Sequence, residues 1–105
     1  MPIPVMPDAD RFEPLAIAVK KGTQVTWTNI DSEGHTVLTD PGVTVQFKFV
    51  APGNGHVSYT FDKPGIYPYF CDAHAQWNSE IKRVEARQGS SEYPAAMEGV
   101  VFVLP

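Results

Sequence analysis

Hydrophobic and polar side chains alternate along most of this chain. In the segment 23–29, Val25 and Trp27 fall on one face and polar residues fall on the other. The same two-residue period recurs over 43–49 and 57–61. Because successive side chains of a β-strand point to opposite faces of a sheet, this alternation predicts strands with one buried face.

Turn-forming residues separate these strands at short intervals. Gly, Pro, Asn and Asp cluster in three segments, 21–22, 52–55 and 62–65. Further strands are predicted at 66–71 and 100–104. Proline has no N–H for a ladder, so Pro68 is predicted at a bulge or an unpaired edge site. Roughly six to eight strands with turns about every 8–12 residues are typical of a two-sheet, all-β sandwich.

One stretch, residues 75–96, departs from the alternation. Trp77, Ile81 and Val84 recur at intervals of four and three, and charged residues fill the positions between them. This spacing places the three apolar side chains on one face of a helix. It predicts one short amphipathic helix over 75–88, followed by a polar loop.

Composition and charge narrow the class of protein. The chain has 105 residues, enough for a single domain over 1–105. Its 12 acidic and 8 basic residues give a net charge of −4 without a basic cluster, which argues against nucleic-acid binding. No apolar run approaches the roughly 20 residues that span a bilayer, so no membrane insertion is expected. The first residues lack a signal-peptide pattern, as in a cytoplasmic protein, a mature chain or an excised domain.

The candidate chemistry lies around the one cysteine, Cys71, which is followed three positions later by His74. At the end of a strand, a thiolate and an imidazole with this spacing can turn toward one point. His35 from a distant loop and Met97 would complete a set of two His, one Cys and a weak axial Met. This ligand set selects copper. The remaining histidine, His56, is interpreted as a surface residue.

Other interpretations of these residues are weaker. A buried cysteine alone is usually an inert small hydrophobe, and a methionine such as Met97 usually belongs to the core. Structural zinc sites use four strong ligands with closely spaced pairs, whereas His35 and His74 are 39 positions apart. A nucleophilic Cys–His pair would need an orienting partner and oxyanion donors, which the surrounding sequence does not supply.

Several segments together resemble the plastocyanin/amicyanin group of cupredoxins. Two runs are specific in combination: Gly-x-Tyr-x-Tyr-x-Cys-x2-His, which ends at His74, and Trp-x-Asn-x-Asp-x3-His, which ends at His35. The segments that carry the resemblance are 19–29, 31–37, 61–65, 67–74 and 97–103. Asn29 and Asp31, within the second run, are expected to order the loop before His35 through hydrogen bonds to the backbone.

The resemblance implies a fold, a cofactor and a function. It implies a Greek-key β-sandwich of the cupredoxin type, with one type 1 (blue) copper per chain that transfers single electrons. Its partners would be redox proteins of the cytochrome or copper oxidoreductase type, met by transient docking. A monomer is expected, in the periplasm, a lumen or another exported location. Carried over by position, the copper ligands would be His35, Cys71, His74 and Met97.

The long separation between His74 and Met97 departs from the family pattern, in which the axial Met follows the second His after a few residues. The insertion, residues 75–96, is therefore expected near the copper end, with its helix packed on that end or its flank. Two other axial ligands stay open, Gln76 and Glu33. The alternative function is a copper-delivery module, or the copper domain of a larger enzyme with an open or non-Met axial position.

Overall fold

The regular structure consists of strands. A computed structural model describes residues 2–5 and 11–105. None of these residues forms a helix long and apolar enough to cross a membrane. Ten strands lie in this part of the chain: β1 (Pro2–Val5), β2 (Ala16–Lys20), β3 (Thr23–Asn29), β4 (His35–Thr39), β5 (Lys48–Ala51), β6 (His56–Phe61), β7 (Gly65–Phe70), β8 (Ala75–Asn78), β9 (Arg83–Ala86) and β10 (Glu98–Leu104).

Two sheets form a sandwich. One has three strands in the order β1-β3-β6, and the other has five in the order β2-β10-β7-β4-β5. The pairs β1–β3 and β2–β10 are parallel, and the remaining pairs within these two sheets are antiparallel. Side chains from both sheets join one buried cluster, so the predicted all-β sandwich is confirmed.

The buried cluster is centred on aromatic side chains. Trp27 on β3 is fully buried, and its ring lies 5.4 Å from that of Tyr69 on β7 in an edge-on arrangement. Phe61 and Phe47 pack on Trp27 at 6.4 and 6.3 Å. Aromatic contacts of this kind add to the free energy gained by burial. They join the two sheets below the end that carries the candidate ligands.

The strand predicted over 43–49 is wrong for residues 43–47, which form an extended loop before β5. One backbone hydrogen bond remains here, from the Thr39 N–H to the Phe47 carbonyl at 3.1 Å, and side chains supply the others. The Phe47 N–H donates to Thr39 Oγ1 at 3.0 Å, and Gln46 Nε2 donates to two loop carbonyls. Phe47 is nevertheless buried, because the loop keeps the alternation that the sequence shows.

The helix predicted over 75–88 is also wrong, because this segment forms the β8–β9 hairpin. Trp77 and Val84 are direct cross-strand partners, so their spacing reflects pairing across a turn. Asn78 Oδ1 accepts hydrogen bonds from the amides of residues 80 and 81, which closes that turn. Lys82 adopts a φ of 52°, a left-handed conformation that interrupts any helix.

The hairpin covers the outer face of the five-stranded sheet. Ala75 and Val84 are buried against Phe70, and Trp77 packs at the edge of this second cluster. Phe70 points away from the main core, which holds its neighbour Tyr69 on the opposite face of β7. Ile81, expected on the packed side of a helix, instead lies at the turn with 58% of its surface exposed.

Asp40, directly after β4, makes stability depend on pH. Its Oδ1 is buried without a hydrogen-bond partner among the described residues. Burial, together with the charge of Glu98, raises the pKa of Asp40 to about 6. A carboxyl group whose pKa is higher in the folded than in the unfolded state stabilises most when it is protonated. Its contribution is complete below about pH 4 and is lost as the pH rises through about 6.

We therefore expect the free energy of unfolding to fall by on the order of 1 kcal/mol between pH 4 and 7 through this group. Asp40→Asn should remove that part of the slope and leave the protein more stable at pH 7. Urea unfolding at several pH values measures the effect, with Asp62→Asn, at an exposed site, as the control. An unchanged slope in the Asp40 variant would contradict this assignment.

Candidate metal centre

Three of the predicted ligands meet at one end of the five-stranded sheet. His35 begins β4, and Cys71 directly follows β7. Because β4 and β7 are antiparallel neighbours, the start of one lies beside the end of the other. His74 follows in the turn after Cys71, and the ligand atoms of the three residues lie within 4.8 Å of one another. His56 is exposed at the start of β6, as the sequence predicts.

Both imidazoles present the same ring atom to the thiol. Cys71 Sγ lies 3.8 Å from His35 Nδ1 and 3.5 Å from His74 Nδ1. Cys71 and His35 are buried, whereas the His74 side chain keeps 16% of its surface exposed. The three atoms therefore converge on a point that is enclosed by the protein and reaches solvent at the His74 ring.

Asp31 fixes the orientation of the His35 ring. His35 Nε2 donates to Asp31 Oδ2 at 2.9 Å, which leaves Nδ1 as the ring atom available to a metal. The hydrogen bond from His35 is also the main reason that the pKa of Asp31 lies below its usual value. A carboxylate on the other ring nitrogen is one of the common partners of a metal-binding histidine.

The surroundings of Cys71 favour its thiolate. Burial raises the pKa of this thiol, but its contacts with the His35 ring and with Thr36 outweigh burial and lower the pKa to about 6. The Thr36 N–H donates to Cys71 Sγ at 3.4 Å. A thiolate is the form that binds a soft metal, so this cysteine differs from an inert buried one.

Asn29 joins the loop before His35 to the neighbouring turn. Its Nδ2 shares two protons among the carbonyls of Glu33, Ala51 and Pro52, at 2.7, 3.0 and 3.1 Å. Its Oδ1 accepts the N–H of Asp31 at 3.0 Å, which places the carboxylate that orients His35. The ordering role predicted for Asn29 is confirmed. For Asp31 the sequence indicated a backbone contact and did not identify the contact with the His35 ring.

The three axial candidates lie in different surroundings. Met97 is fully buried in the same cluster as Cys71, and its carbonyl accepts the Cys71 N–H at 3.0 Å. The Gln76 amide is engaged on the hairpin, accepting from Arg87 and donating to a neighbouring glutamate. The Glu33 side chain is 69% exposed, and its Oε2 is 4.0 Å from His74 Nε2, the ring nitrogen opposite Nδ1. Burial beside the thiol favours Met97.

Arg87 is a supporting residue that sequence reasoning missed. Its side-chain Nε donates to the carbonyls of Asp72 and Ala75 at 2.8 and 3.0 Å. Its backbone N–H donates to the His74 carbonyl at 3.1 Å. The hairpin therefore holds the backbone that carries Cys71 and His74. The predicted helix placed Arg87 on a solvent-facing arc, whereas hairpin pairing would have placed it opposite His74.

The donor set fits copper. Thiolate sulfur and imidazole nitrogen are the ligands that blue copper sites combine, with a weaker thioether on the axis. The sulfur and both Nδ1 atoms already lie close together, and residues outside the set hold them there. A structural zinc site would need a fourth strong ligand, and no His, Cys, Asp or Glu of the described chain joins this group.

Comparison with known proteins agrees with this geometry. The family described as "Copper binding proteins, plastocyanin/azurin family" matches residues 6–82. The matched range includes His35, Cys71 and His74, but ends before Met97. An amicyanin-alpha from Methylorubrum extorquens is 33% identical over 67 residues, which cover 61% of this chain and 56% of the amicyanin.

A chloroplastic plastocyanin from Tetradesmus obliquus is 34% identical over 73 residues, which cover 60% of this chain and 50% of the plastocyanin. This chain thus matches about half the length of each of these two relatives.

Solved structures share the fold over nearly the whole chain. An oxidized mutant of amicyanin aligns with a TM-score of 0.71 and 25% identity, covering 99% of this chain and 81% of the amicyanin. A purple cupredoxin from Nitrosopumilus maritimus aligns with a TM-score of 0.68 and 19% identity, covering 98% of both chains.

Proposed function

Because the chain belongs to the plastocyanin/azurin family of copper-binding proteins, we propose that it carries single electrons between redox partners. The observation that carries the proposal is the convergence of one thiol and two imidazole Nδ1 atoms within 4.8 Å. The proposed ligands of the copper are His35, Cys71, His74 and Met97. A copper ion held by them supplies a Cu(II)/Cu(I) couple, which exchanges one electron at a time.

Each proposed ligand has a distinct role. Cys71 would provide the covalent path for an electron from a bound copper into β7. His35 is fully enclosed and is held by Asp31, so it keeps its position when the charge of the site changes. His74 is the partly exposed ligand, so its ring edge is where an electron would leave toward a partner. Met97 would tune the site from the axis.

The position of the hairpin favours an electron carrier over a copper-delivery module. A module that stores metal would gain from covering its exposed ligand. Here the buried hairpin side chains, Ala75 and Val84, pack against Phe70 on the sheet, and the His74 side chain keeps 16% exposure. Asp31 also anchors the His35 ring, and Arg87 anchors the backbone around His74, which suits a site that keeps its geometry through a redox cycle.

Two rates distinguish these functions. The first is the rate of electron self-exchange, measured from NMR line widths in mixtures of the Cu(I) and Cu(II) forms. The second is the rate at which a competing chelator removes the copper. We expect self-exchange to be the faster of the two. Rapid copper transfer with negligible self-exchange would contradict the electron carrier and favour metal delivery.

Partners and location belong to the same proposal. The exposed His74 edge suits a small, transient interface with a redox protein of the cytochrome or copper oxidoreductase type. We place the protein as a monomer in an exported compartment, periplasmic or lumenal.

The axial assignment predicts a change in reduction potential. Met97→Leu keeps the volume of the buried side chain and removes the thioether sulfur, which is a better donor to Cu(II) than a methyl group. We expect the reduction potential to rise by about 60 mV for each tenfold loss of affinity for Cu(II) relative to the affinity for Cu(I). Cyclic voltammetry measures the shift.

The control for Met97→Leu is Ile17→Leu, an equally conservative change in the same buried cluster but on β2, which should leave the potential unchanged. If Met97→Leu alters neither the potential nor the absorption spectrum, Met97 is not a ligand. Copper should stay bound in either case, because His35, Cys71 and His74 remain.

A further inference from the structure

The Thr36 hydroxyl lies between the proposed copper thiolate and a carboxylate. Its Oγ1 is 3.6 Å from Cys71 Sγ, 2.7 Å from Asp72 Oδ1 and 2.8 Å from Asp72 N. A hydroxyl group has one proton and two lone pairs. It can therefore donate to the sulfur or to the carboxylate, and it accepts from the Asp72 N–H in both cases.

The distances decide where the proton goes. A 2.7 Å contact with a carboxylate is a short, charge-assisted hydrogen bond, whereas 3.6 Å to sulfur is a long one. Thr36 therefore donates to Asp72, and its oxygen faces the sulfur without a proton between them. The one hydrogen bond that Thr36 then donates to the thiolate comes from its backbone N–H, at 3.4 Å.

Other residues hold Asp72 in this position. Lys48 Nζ lies 3.1 Å from Asp72 Oδ2, the oxygen that does not bind Thr36. Arg87 on the hairpin donates to the Asp72 carbonyl at 2.8 Å. The side chain of Asp72 is 31% exposed, so its carboxylate reaches the surface while Oδ1 stays directed at the hydroxyl. The orientation of one hydroxyl thus depends on Arg87 of the insertion and on Lys48, the first residue of β5.

We propose that Asp72 is a positioning residue that keeps the Thr36 hydroxyl proton away from Cys71 Sγ and thereby lowers the reduction potential of the copper site. The inference rests on the proposed function. Hydrogen bonding around the cysteine sulfur is one of the factors that set the potential of such sites. A hydrogen bond to the sulfur withdraws charge from the thiolate and favours the reduced metal. Withholding that bond leaves a stronger donor, which favours Cu(II).

A double-mutant cycle tests the proposal, with Asp72→Ala and Thr36→Val made singly and together. Asp72→Ala removes the acceptor, so the hydroxyl turns its proton to the sulfur. We expect the potential to rise and the sulfur-to-copper charge-transfer band to move to higher energy. Because Asp72→Ala also removes a negative charge, some rise remains in the Thr36→Val background. The upward shift there should be at most about half as large, since no hydroxyl is left to reorient.

Two further variants serve as controls. Thr36→Ser keeps the hydroxyl, so Asp72→Ala should cause the full shift in that background. Asp72→Asn keeps the size of the side chain and is a weaker, neutral acceptor. It should give a smaller shift of the same sign, and it serves if the alanine variant does not fold.

The outcomes separate this inference from the proposed function. Equal potential shifts in the Thr36 and Thr36→Val backgrounds, with an unmoved charge-transfer band, would overturn the role of Asp72 and leave the electron carrier intact. If the unaltered protein had neither a charge-transfer band nor a reversible one-electron couple, the proposed function would fail and this inference with it.

Discussion

Replacing Cys71 with serine is expected to abolish the sulfur-to-copper charge-transfer absorption of the copper-loaded protein. Serine removes the one soft anionic ligand, and its neutral hydroxyl does not replace a thiolate. Loss of an outer partner of a metal ligand already costs about 10–100-fold in affinity, so loss of this ligand should cost at least about 100-fold. Copper titration followed by absorption, with a competing chelator, measures both effects.

A histidine variant provides the matched control for the metal site. His56→Ala removes an imidazole that is exposed at the start of β6, so affinity and spectrum should not change. His35→Ala removes an imidazole beside the thiol and should weaken copper binding strongly. A charge-transfer band that persists in Cys71→Ser would exclude the thiolate as a ligand.

Asn29→Ala should produce the largest loss of stability among the substitutions considered. The variant leaves three carbonyls and the Asp31 N–H without their amide partner in a mostly buried site. Each unsatisfied buried group costs about 1–3 kcal/mol, and water can reach part of this site, so we expect a total of about 3 kcal/mol. Denaturant unfolding of the metal-free protein measures this change in the free energy of unfolding.

The control is Gln88→Ala, which removes an amide from an exposed position after β9. That change should stay within about 0.5 kcal/mol. The Asn29 variant should also bind copper more weakly, because the loop that carries Asp31 and His35 loses its anchor. Equal unfolding free energies for the two variants would contradict the anchoring role of Asn29.

The sandwich could be predicted because its strands have one buried and one exposed face. On β3, Val25 and Trp27 are fully buried and Gln24 is exposed, as the two-residue period requires. The place predicted for Pro68 is wrong, because β7 is an interior strand and Pro68 pairs in regular register with Val100 of β10. Its missing N–H is tolerated because Pro68 lies beyond the last β4–β7 pair, Thr39 with Tyr69, where that ladder needs no donor.

The insertion could not be predicted in the same way. Three apolar residues at intervals of four and three fit one face of a helix, and they also fit a hairpin that pairs Trp77 with Val84. The decisive features were the Asn78 side chain that closes the turn and the left-handed Lys82, which are not evident from periodicity. The hairpin is stabilised by packing against Phe70. This is a tertiary contact, which the local sequence pattern does not reveal.

The convergence of three side chains could be predicted, but the hydrogen bonds around them could not. The spacing of Cys71 and His74 places both in one turn, and His35 was expected to join them from a distant loop. Some contacts that orient these residues join positions far apart in the chain, such as Asp72 with Lys48. Others, such as those of Arg87, depend on the hairpin that the sequence pattern had predicted as a helix. Such contacts require coordinates, because hydrogen-bond geometry depends on register and side-chain direction.

X-ray absorption fine structure at the copper edge of the loaded protein reports directly on the proposed ligands. We expect one sulfur and two imidazole nitrogens around a single copper, with nearly the same distances in the Cu(II) and Cu(I) forms. A copper without a short sulfur contact, or with a different ligand set after reduction, would contradict the proposed site.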